Sequence, residues 1–146
     1  MKVVLDTNIV LVSISDKSPF HLIFKSFIEN KFSIAVTTEI LDEYAEILGN
    51  KISKKLSDFA LEIIENAPNV HFIIKYFSFD LIKIDFDDNK FVDCAIASNS
   101  DYLVTNDSHF DVLKKLPFPK INVVNIDEFI AILKLKKTNE ENEIKG

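Results

Sequence analysis

Short apolar runs alternate along this chain with longer amphipathic segments, and this alternation limits the possible folds more than any other feature. The apolar runs have the length of single buried strands and cover residues 3–5, 33–36, 70–74, 102–105 and 121–124. Helical spacing of apolar residues marks segments 19–30, 38–48, 53–66, 88–99 and 127–136, with a short helix after Ser108. Strands that alternate with helices form parallel sheets covered by helices on both faces. The sequence therefore predicts an α/β fold.

The 146 residues fit one domain, since no repeat or linker divides them. We expect the folded domain to span residues 1–136, and the polar segment 137–146 to be a disordered tail. No apolar stretch is long enough to span a membrane, and the run before Asp6 is too short for a signal peptide. The single cysteine, Cys94, suits a reducing compartment, so we expect a cytoplasmic protein.

The negative charge of the chain is concentrated in one segment. The net charge is -6. Residues 85–111 hold seven aspartates and one lysine, whereas the other residues hold 16 acids and 16 lysines. Crowded carboxylates repel one another unless a positive group lies among them, so the segment is either a solvated acidic loop or a cation site. The chain has no arginine, and its two glycines exclude the glycine-rich loops that bind phosphates.

Three carboxylates have positions that favour a common site. Asp6 follows the first predicted strand and Asp107 follows the strand at 102–105. Ligands of open α/β sheets bind beyond the carboxyl ends of strands, although either aspartate also suits a helix cap. Glu43 lies at the border of the buried face of its predicted helix, where it can point into a cleft or remain on the surface.

Asp93 is the most unusual of the acids, because its helix is otherwise apolar nearly all round. A buried carboxylate needs a compensating partner, so we interpret Asp93 as a metal ligand; the alternative is a structural aspartate with hydrogen bonds. Asp111 is a further possible ligand, but a solvent-facing position is favoured. Oxygen ligands without a His or Cys cluster select Mg²⁺ or Mn²⁺, and such sites serve phosphate chemistry.

The motifs that carry these acids resemble those of PIN-domain ribonucleases, especially the small toxins of prokaryotic toxin–antitoxin pairs. The similar stretches are VVLDTNIVL, TTEILDEYAEIL, DDNKFVDCAIASNSDYLVTND and INVVNIDEFI. The resemblance implies a three-layer α/β/α fold with a mostly parallel five-stranded sheet. It places the family's acidic quartet, as catalytic residues and metal ligands, on Asp6, Glu43, Asp93 and Asp107.

The same resemblance implies the activity and the partners of the protein. We expect an endoribonuclease that uses Mg²⁺ or Mn²⁺ to hydrolyse RNA, leaving a 3′-hydroxyl and a 5′-phosphate. The expected role is the toxin of a toxin–antitoxin pair, with an antitoxin from a neighbouring gene, a homodimer and no membrane association. Four residues, Thr7, Asn8, Thr105 and Asn106, are expected to orient the carboxylates by hydrogen bonds, or else to stabilise turns.

Three other functions remain open. A PIN fold without catalysis could serve as an RNA-binding or assembly module. An aspartate-based phosphatase also places Asp after its first strand, but it needs a second carboxylate two residues later, where this chain has Asn8. A phospho-receiver domain would leave the helical Asp93 without a role.

Overall fold

The computed structural model of the protein describes all 146 residues. The strands are β1 (Lys2–Leu5), β2 (Ser33–Val36), β3 (Val70–Phe72), β4 (Tyr102–Val104) and β5 (Val123–Val124). The helices are α1 (Thr7–Ser13), α2 (His21–Ile28), α3 (Thr38–Lys51), α4 (Lys54–Asn66), α5 (Asn89–Ala97) and α6 (Ile126–Lys145). Two 3₁₀ segments, Phe86–Asp88 and Ser108–Lys115, flank α5 and β4.

All five strands belong to one parallel sheet with the order β3-β2-β1-β4-β5. The central strand β1 pairs with β2 through Val3 and Ile34, and with β4 through Val3 and Tyr102. The predicted three-layer fold with a five-stranded sheet is confirmed, and the sheet is wholly parallel. Because the strands are parallel, the residues after β1 and β4 meet at the same edge of the sheet.

Aromatic packing and a buried hydrogen bond hold the layers together. The ring of Phe32 lies 6.1 Å from that of Phe27 and packs edge-on against Phe129 at 5.2 Å, which joins α2, β2 and α6. Tyr44 of α3 is fully buried and donates its hydroxyl to the carbonyl of Leu5. This bond fixes α3 against the end of β1, so the neighbouring Glu43 is positioned near that end.

The C-terminal segment differs from the sequence-based expectation. We expected a disordered tail from residue 137, but α6 continues to Lys145. The helix starts with a capping box between Asn125 and Glu128, and its polar half contacts the turn before β2. Lys136 donates to the carbonyl of Lys31 at 2.7 Å, and Lys31 pairs with Glu140 at 3.0 Å. These tertiary contacts support a helix that has little apolar surface there.

Two smaller differences concern element ends. The helix α3 passes Gly49, where we expected it to stop, and ends at Lys51 because the amide of Ile52 still bonds to Leu48. The strand β3 ends at Phe72 rather than at the expected residue 74, and residues 73–85 contain no helix or strand. None of the helices combines the length and the apolar character that crossing a membrane requires.

Candidate metal centre

The carboxyl ends of β1 and β4 bring Asp6 and Asp107 to either side of Thr105. The amide of Asp6 donates to the carbonyl of Val104 at 3.0 Å. The Thr105 hydroxyl donates to Oδ2 of Asp6 at 2.7 Å and accepts the amide hydrogen of Asp107 at 3.0 Å. Two acids that are far apart in sequence therefore share one threonine, which has the orienting role expected for it.

Asp6 is a buried carboxylate without a positively charged partner. Its exposure is 8%, and burial raises its pKa to about 6. The Thr105 hydrogen bond opposes this rise, whereas the negative charges of Asp88 and Glu43 add to it. A carboxylate with these neighbours gains more from a cation than an exposed one would, because the cation offsets both burial and repulsion.

Glu43 is half-buried at the border of α3, as its helical position predicted. Both of its oxygens have partners: the Thr7 hydroxyl donates to Oε2, and the Lys90 ammonium lies 2.7 Å from Oε1. Lys90 also pairs with Asp87 at 2.8 Å. Burial lowers the pKa of Lys90, but the two carboxylates outweigh it and the pKa is raised. Glu43 is therefore held in place by a lysine that remains charged.

Asp88 and His109, neither of which the sequence analysis named as a site residue, join this group. Nδ1 of His109 lies 3.1 Å from Oδ2 of Asp88, and the His109 amide donates to Asp107 at 2.9 Å. The hydrogen bond to Asp88 raises the pKa of His109, while burial raises that of Asp88. Ligand atoms of Asp85, Asp88 and His109 all lie within 4.8 Å of one another. The dense acids around Asp88 were the signal that could have identified it.

Asp93 has different neighbours from the other predicted ligands. Its side chain is 1% exposed, and Oδ1 accepts the amide hydrogen of Phe79 at 3.1 Å. Oδ2 has no hydrogen-bond partner, and the Lys75 ammonium lies 3.6 Å away. Burial raises the pKa of Asp93, and Phe79 and Lys75 oppose the rise.

We expected Asp93 to be a fourth ligand beside Asp6, Glu43 and Asp107, but its hydrogen bond and its ion pair are with the segment that follows β3. The weaker candidate Asp111 also lies apart: it is exposed and pairs with Lys114 at 3.2 Å. The charges of Asp88 and Glu43 act on Asp6, and the charge of Asp107 acts on Asp88, so these four acids lie close together.

Comparison with known proteins identifies the family. A sequence profile described as the PIN domain matches residues 2–109, which is more than half of the chain. The chain belongs to the PIN-domain family. The matched range includes the four gathered acids and ends before α6. No curated protein matches the chain.

Solved structures with low sequence identity share the fold of this PIN domain. In the structure of VapBC2 from Rickettsia felis bound to a promoter DNA fragment, the matched chain is 21% identical, with a TM-score of 0.59. That match covers 86% of this chain and 98% of the other. VapC20 from Mycobacterium tuberculosis, a toxin that cleaves the sarcin-ricin loop, is 11% identical, with a TM-score of 0.55 and coverages of 75% and 92%.

The RRP44 PIN domain of T. brucei extends the likeness to a different protein. It is 11% identical to this chain, with a TM-score of 0.54, and the match covers 97% of this chain and 86% of the other. At these identities the neighbours establish the fold, and the chemistry has to be argued from the residues of this chain.

Proposed function

We propose that this PIN domain is a metal-dependent endoribonuclease that hydrolyses RNA phosphodiester bonds. The observation that carries the proposal is the buried Asp6, whose pKa is raised to about 6 and whose charged neighbours, Asp88 and Glu43, are acids. A carboxylate in these surroundings favours a bound cation. Its place at the carboxyl edge of a parallel sheet is where α/β proteins bind ligands.

The gathered residues fit a hard divalent cation, Mg²⁺ or Mn²⁺. Carboxylate oxygens of Asp6, Asp88 and Asp107 are suitable ligands, and the imidazole of His109 beside Asp88 is compatible with Mn²⁺. When bound, the cation supplies the positive charge that activates water and screens the phosphate. Glu43 suits an orienting role, because Thr7 and Lys90 already engage its two oxygens.

The protein's own side chains fix the positions of these ligands. Thr105 holds one oxygen of Asp6 and the backbone of Asp107, so the acids after β1 and β4 keep a constant separation. His109 holds Asp88 through its ring and Asp107 through its amide. Lys90 pairs with both Glu43 and Asp87 and so balances part of their negative charge.

Within the family we propose the toxin role, with an antitoxin partner and a homodimer. The neighbour from Rickettsia felis is a VapBC2 structure bound to DNA from its promoter, and the neighbour from Mycobacterium tuberculosis is a toxin that cleaves the sarcin-ricin loop. These relatives support an RNA substrate and a protein partner for this chain. Co-expression with the protein of the adjacent reading frame, followed by purification of the pair, tests the partner.

RNA cleavage with and without metal tests the proposed chemistry. We expect cleavage of an end-labelled RNA in Mn²⁺ or Mg²⁺ and none in EDTA, with 5′-phosphate products. Metal at a hundredfold excess over its dissociation constant is expected to stabilise the fold by about 2.7 kcal/mol, which a thermal melt measures. A melting temperature that does not respond to millimolar Mn²⁺ contradicts a metal site. Metal binding without cleavage instead supports an RNA-binding or assembly module.

A further inference from the structure

The segment from Phe72 to Phe86, which we call the aromatic strap, exposes an unusual amount of apolar surface. Seven of the chain's fourteen exposed large apolar residues lie in it: Phe72, Ile74, Tyr76, Phe77, Phe79, Ile84 and Phe86. Tyr76 is 82% exposed and Phe77 is 75% exposed. Apolar residues that are exposed together in one segment often mark a binding site, whereas apolar residues that are exposed singly need no such explanation.

Buried polar groups hold the aromatic strap in place against α5. The side chain of Asn89 accepts the amide hydrogen of Ile82 and donates to its carbonyl, both at 2.9 Å, and Ile82 is fully buried. Asp93 accepts the amide hydrogen of Phe79 and lies near Lys75. Since its backbone is anchored at these points, the strap presents its aromatic rings from a fixed position.

The aromatic strap leads directly into the candidate metal centre. Phe86 begins the 3₁₀ turn that ends at Asp88, and Asp85 lies within 4.8 Å of the ligand atoms of Asp88 and His109. A cavity of about 270 Å³ lies beside the strap, and its lining includes Phe86, Lys75 and Lys90. Four acids also line it, Glu39, Asp80, Asp87 and Asp93, and three of them pair with the two lysines. A chain of nucleotides with one phosphate at the metal centre would therefore reach the strap with its neighbouring nucleotides.

The composition of the strap favours nucleic acid over a protein partner. Charged residues alternate with the aromatic ones, as in Lys75-Tyr76-Phe77 and Lys83-Ile84-Asp85-Phe86. A protein interface would bury these charges, whereas bases that stack on the rings leave them in water. The chain also has no arginine to stack on bases, so aromatic rings must make that contact.

We propose that the aromatic strap binds unpaired bases of single-stranded RNA by stacking, next to the phosphate that is cleaved. This inference rests on the proposed ribonuclease function and adds that the RNA substrate is unpaired where it contacts the strap. Bases in a duplex are already stacked and paired, so the strap discriminates against double-stranded RNA. Every base has an aromatic face, so the strap contributes affinity with little sequence preference.

Binding measured without metal tests the strap separately from cleavage. The probe is a fluorescein-labelled 12-nucleotide RNA without secondary structure, titrated with protein in EDTA and followed by anisotropy. We expect Tyr76→Ala combined with Phe77→Ala to raise the dissociation constant about tenfold or more, because two stacking rings are lost. Tyr76→Phe retains the ring and should bind as the wild type does. The salt dependence should be unchanged, since no charge is removed.

Phe59→Ala is the matched control, because Phe59 is also exposed (56%) but lies on α4, outside the strap. The proposal is overturned if the double variant binds the RNA with the same affinity as the wild type. It is also overturned if the wild type binds the same RNA sequence equally well as a duplex. Sedimentation detects the alternative that the strap binds a second copy of the chain. If the wild type is a dimer and the double variant is a monomer with unchanged RNA affinity, the proposal is also overturned. Strap-dependent binding by a protein that never cleaves RNA would sustain this inference while refuting the proposed function.

Discussion

Asp6 and Asp93 are two buried aspartates of one protein, and their surroundings differ in the sign of the nearby charge. Burial raises the pKa of both carboxyl groups. Asp6 has a neutral hydroxyl partner and acidic neighbours, whereas Asp93 has a backbone amide and the ammonium of Lys75. A buried carboxylate therefore does not by itself indicate a metal ligand. The charges that surround it decide whether a cation is needed.

Replacing one acid from each region gives the sharpest test of this difference. We expect Asp88→Asn to reduce Mn²⁺-dependent RNA cleavage by more than about a hundredfold, because the metal loses a charged ligand. Asp93→Asn should cleave within a few-fold of the wild type, since Asp93 contacts the strap. Initial rates on labelled RNA, corrected for the folded fraction by circular dichroism, measure both variants. Asp42→Asn, on the exposed side of α3, is the control.

The opposite ranking would restore the interpretation of Asp93 as a ligand. An inactive Asp93 variant that remains folded, together with an active Asp88 variant, would place the metal at Asp93 instead of Asp88. It would also mean that Lys75 moves away when the metal binds.

The pH dependence of stability provides a second test, centred on Asp6. Its pKa is about 6 in the folded protein and 3.8 in a model peptide, so the folded state binds more protons between these values. Stability of the metal-free protein should therefore fall as pH rises from about 4 to 6, by up to about 3 kcal/mol from Asp6 alone. Urea unfolding in EDTA at several pH values measures this. We expect Asp6→Asn to be more stable than the wild type at pH 7, with a free energy of unfolding that varies less with pH. The same pH dependence in the variant and the wild type contradicts the argument.

Removing the Asp93 side chain should destabilise the protein, whereas neutralising Asp6 should stabilise it. In Asp93→Ala the Phe79 amide loses its acceptor and Lys75 its partner, so we expect a loss of about 2 kcal/mol. Denaturant midpoints at pH 7 provide the measurement. Asp6→Ala under the same metal-free conditions is the matched comparison and should lose less. If the two variants lose the same stability, the surroundings of Asp6 and Asp93 do not differ in the way proposed.

The smallest expected effect comes from Lys75, whose side chain is 27% exposed. Lys75→Met keeps most of the side chain's length but removes the charge, and should cost less than about 1 kcal/mol because water screens the pair. The pKa of Asp93 should rise further, since the lysine lowers it in the wild type. Titration of the carboxyl carbon by NMR measures the pKa. A value that does not change means that Lys75 is not the compensating charge.

Much of this architecture was predictable because it follows from local patterns. Apolar runs and helical periodicity predicted the parallel sheet, and the strand ends predicted that Asp6 and Asp107 would lie near each other. Periodicity also indicated that Asp93 is buried, but it carries no information about what covers the residue. The cover is residues 75–79, a segment with no regular structure whose contacts are tertiary.

Asp88, His109 and the end of α6 were missed for a related reason. An N-terminal cap and a metal ligand require the same residue type, so Asp88 has the same local pattern in both roles. The polar end of α6 has no apolar stripe to indicate a packed helix, and its support comes from Lys31, more than 100 residues away. In each case the decisive partner lies far away in the sequence.

The central position of β1 in the sheet determines when the metal centre can form during synthesis. Asp6 and Thr105 are 99 residues apart, although a hydrogen bond joins them. At about 5–20 residues per second, roughly 5 to 20 seconds separate their addition to the growing chain. A nascent chain that lacks β4 has neither Thr105 nor Asp107 to complete the site. Under the proposed ribonuclease function, the ribosome that translates this chain meets no assembled catalytic centre until most of the domain has been made.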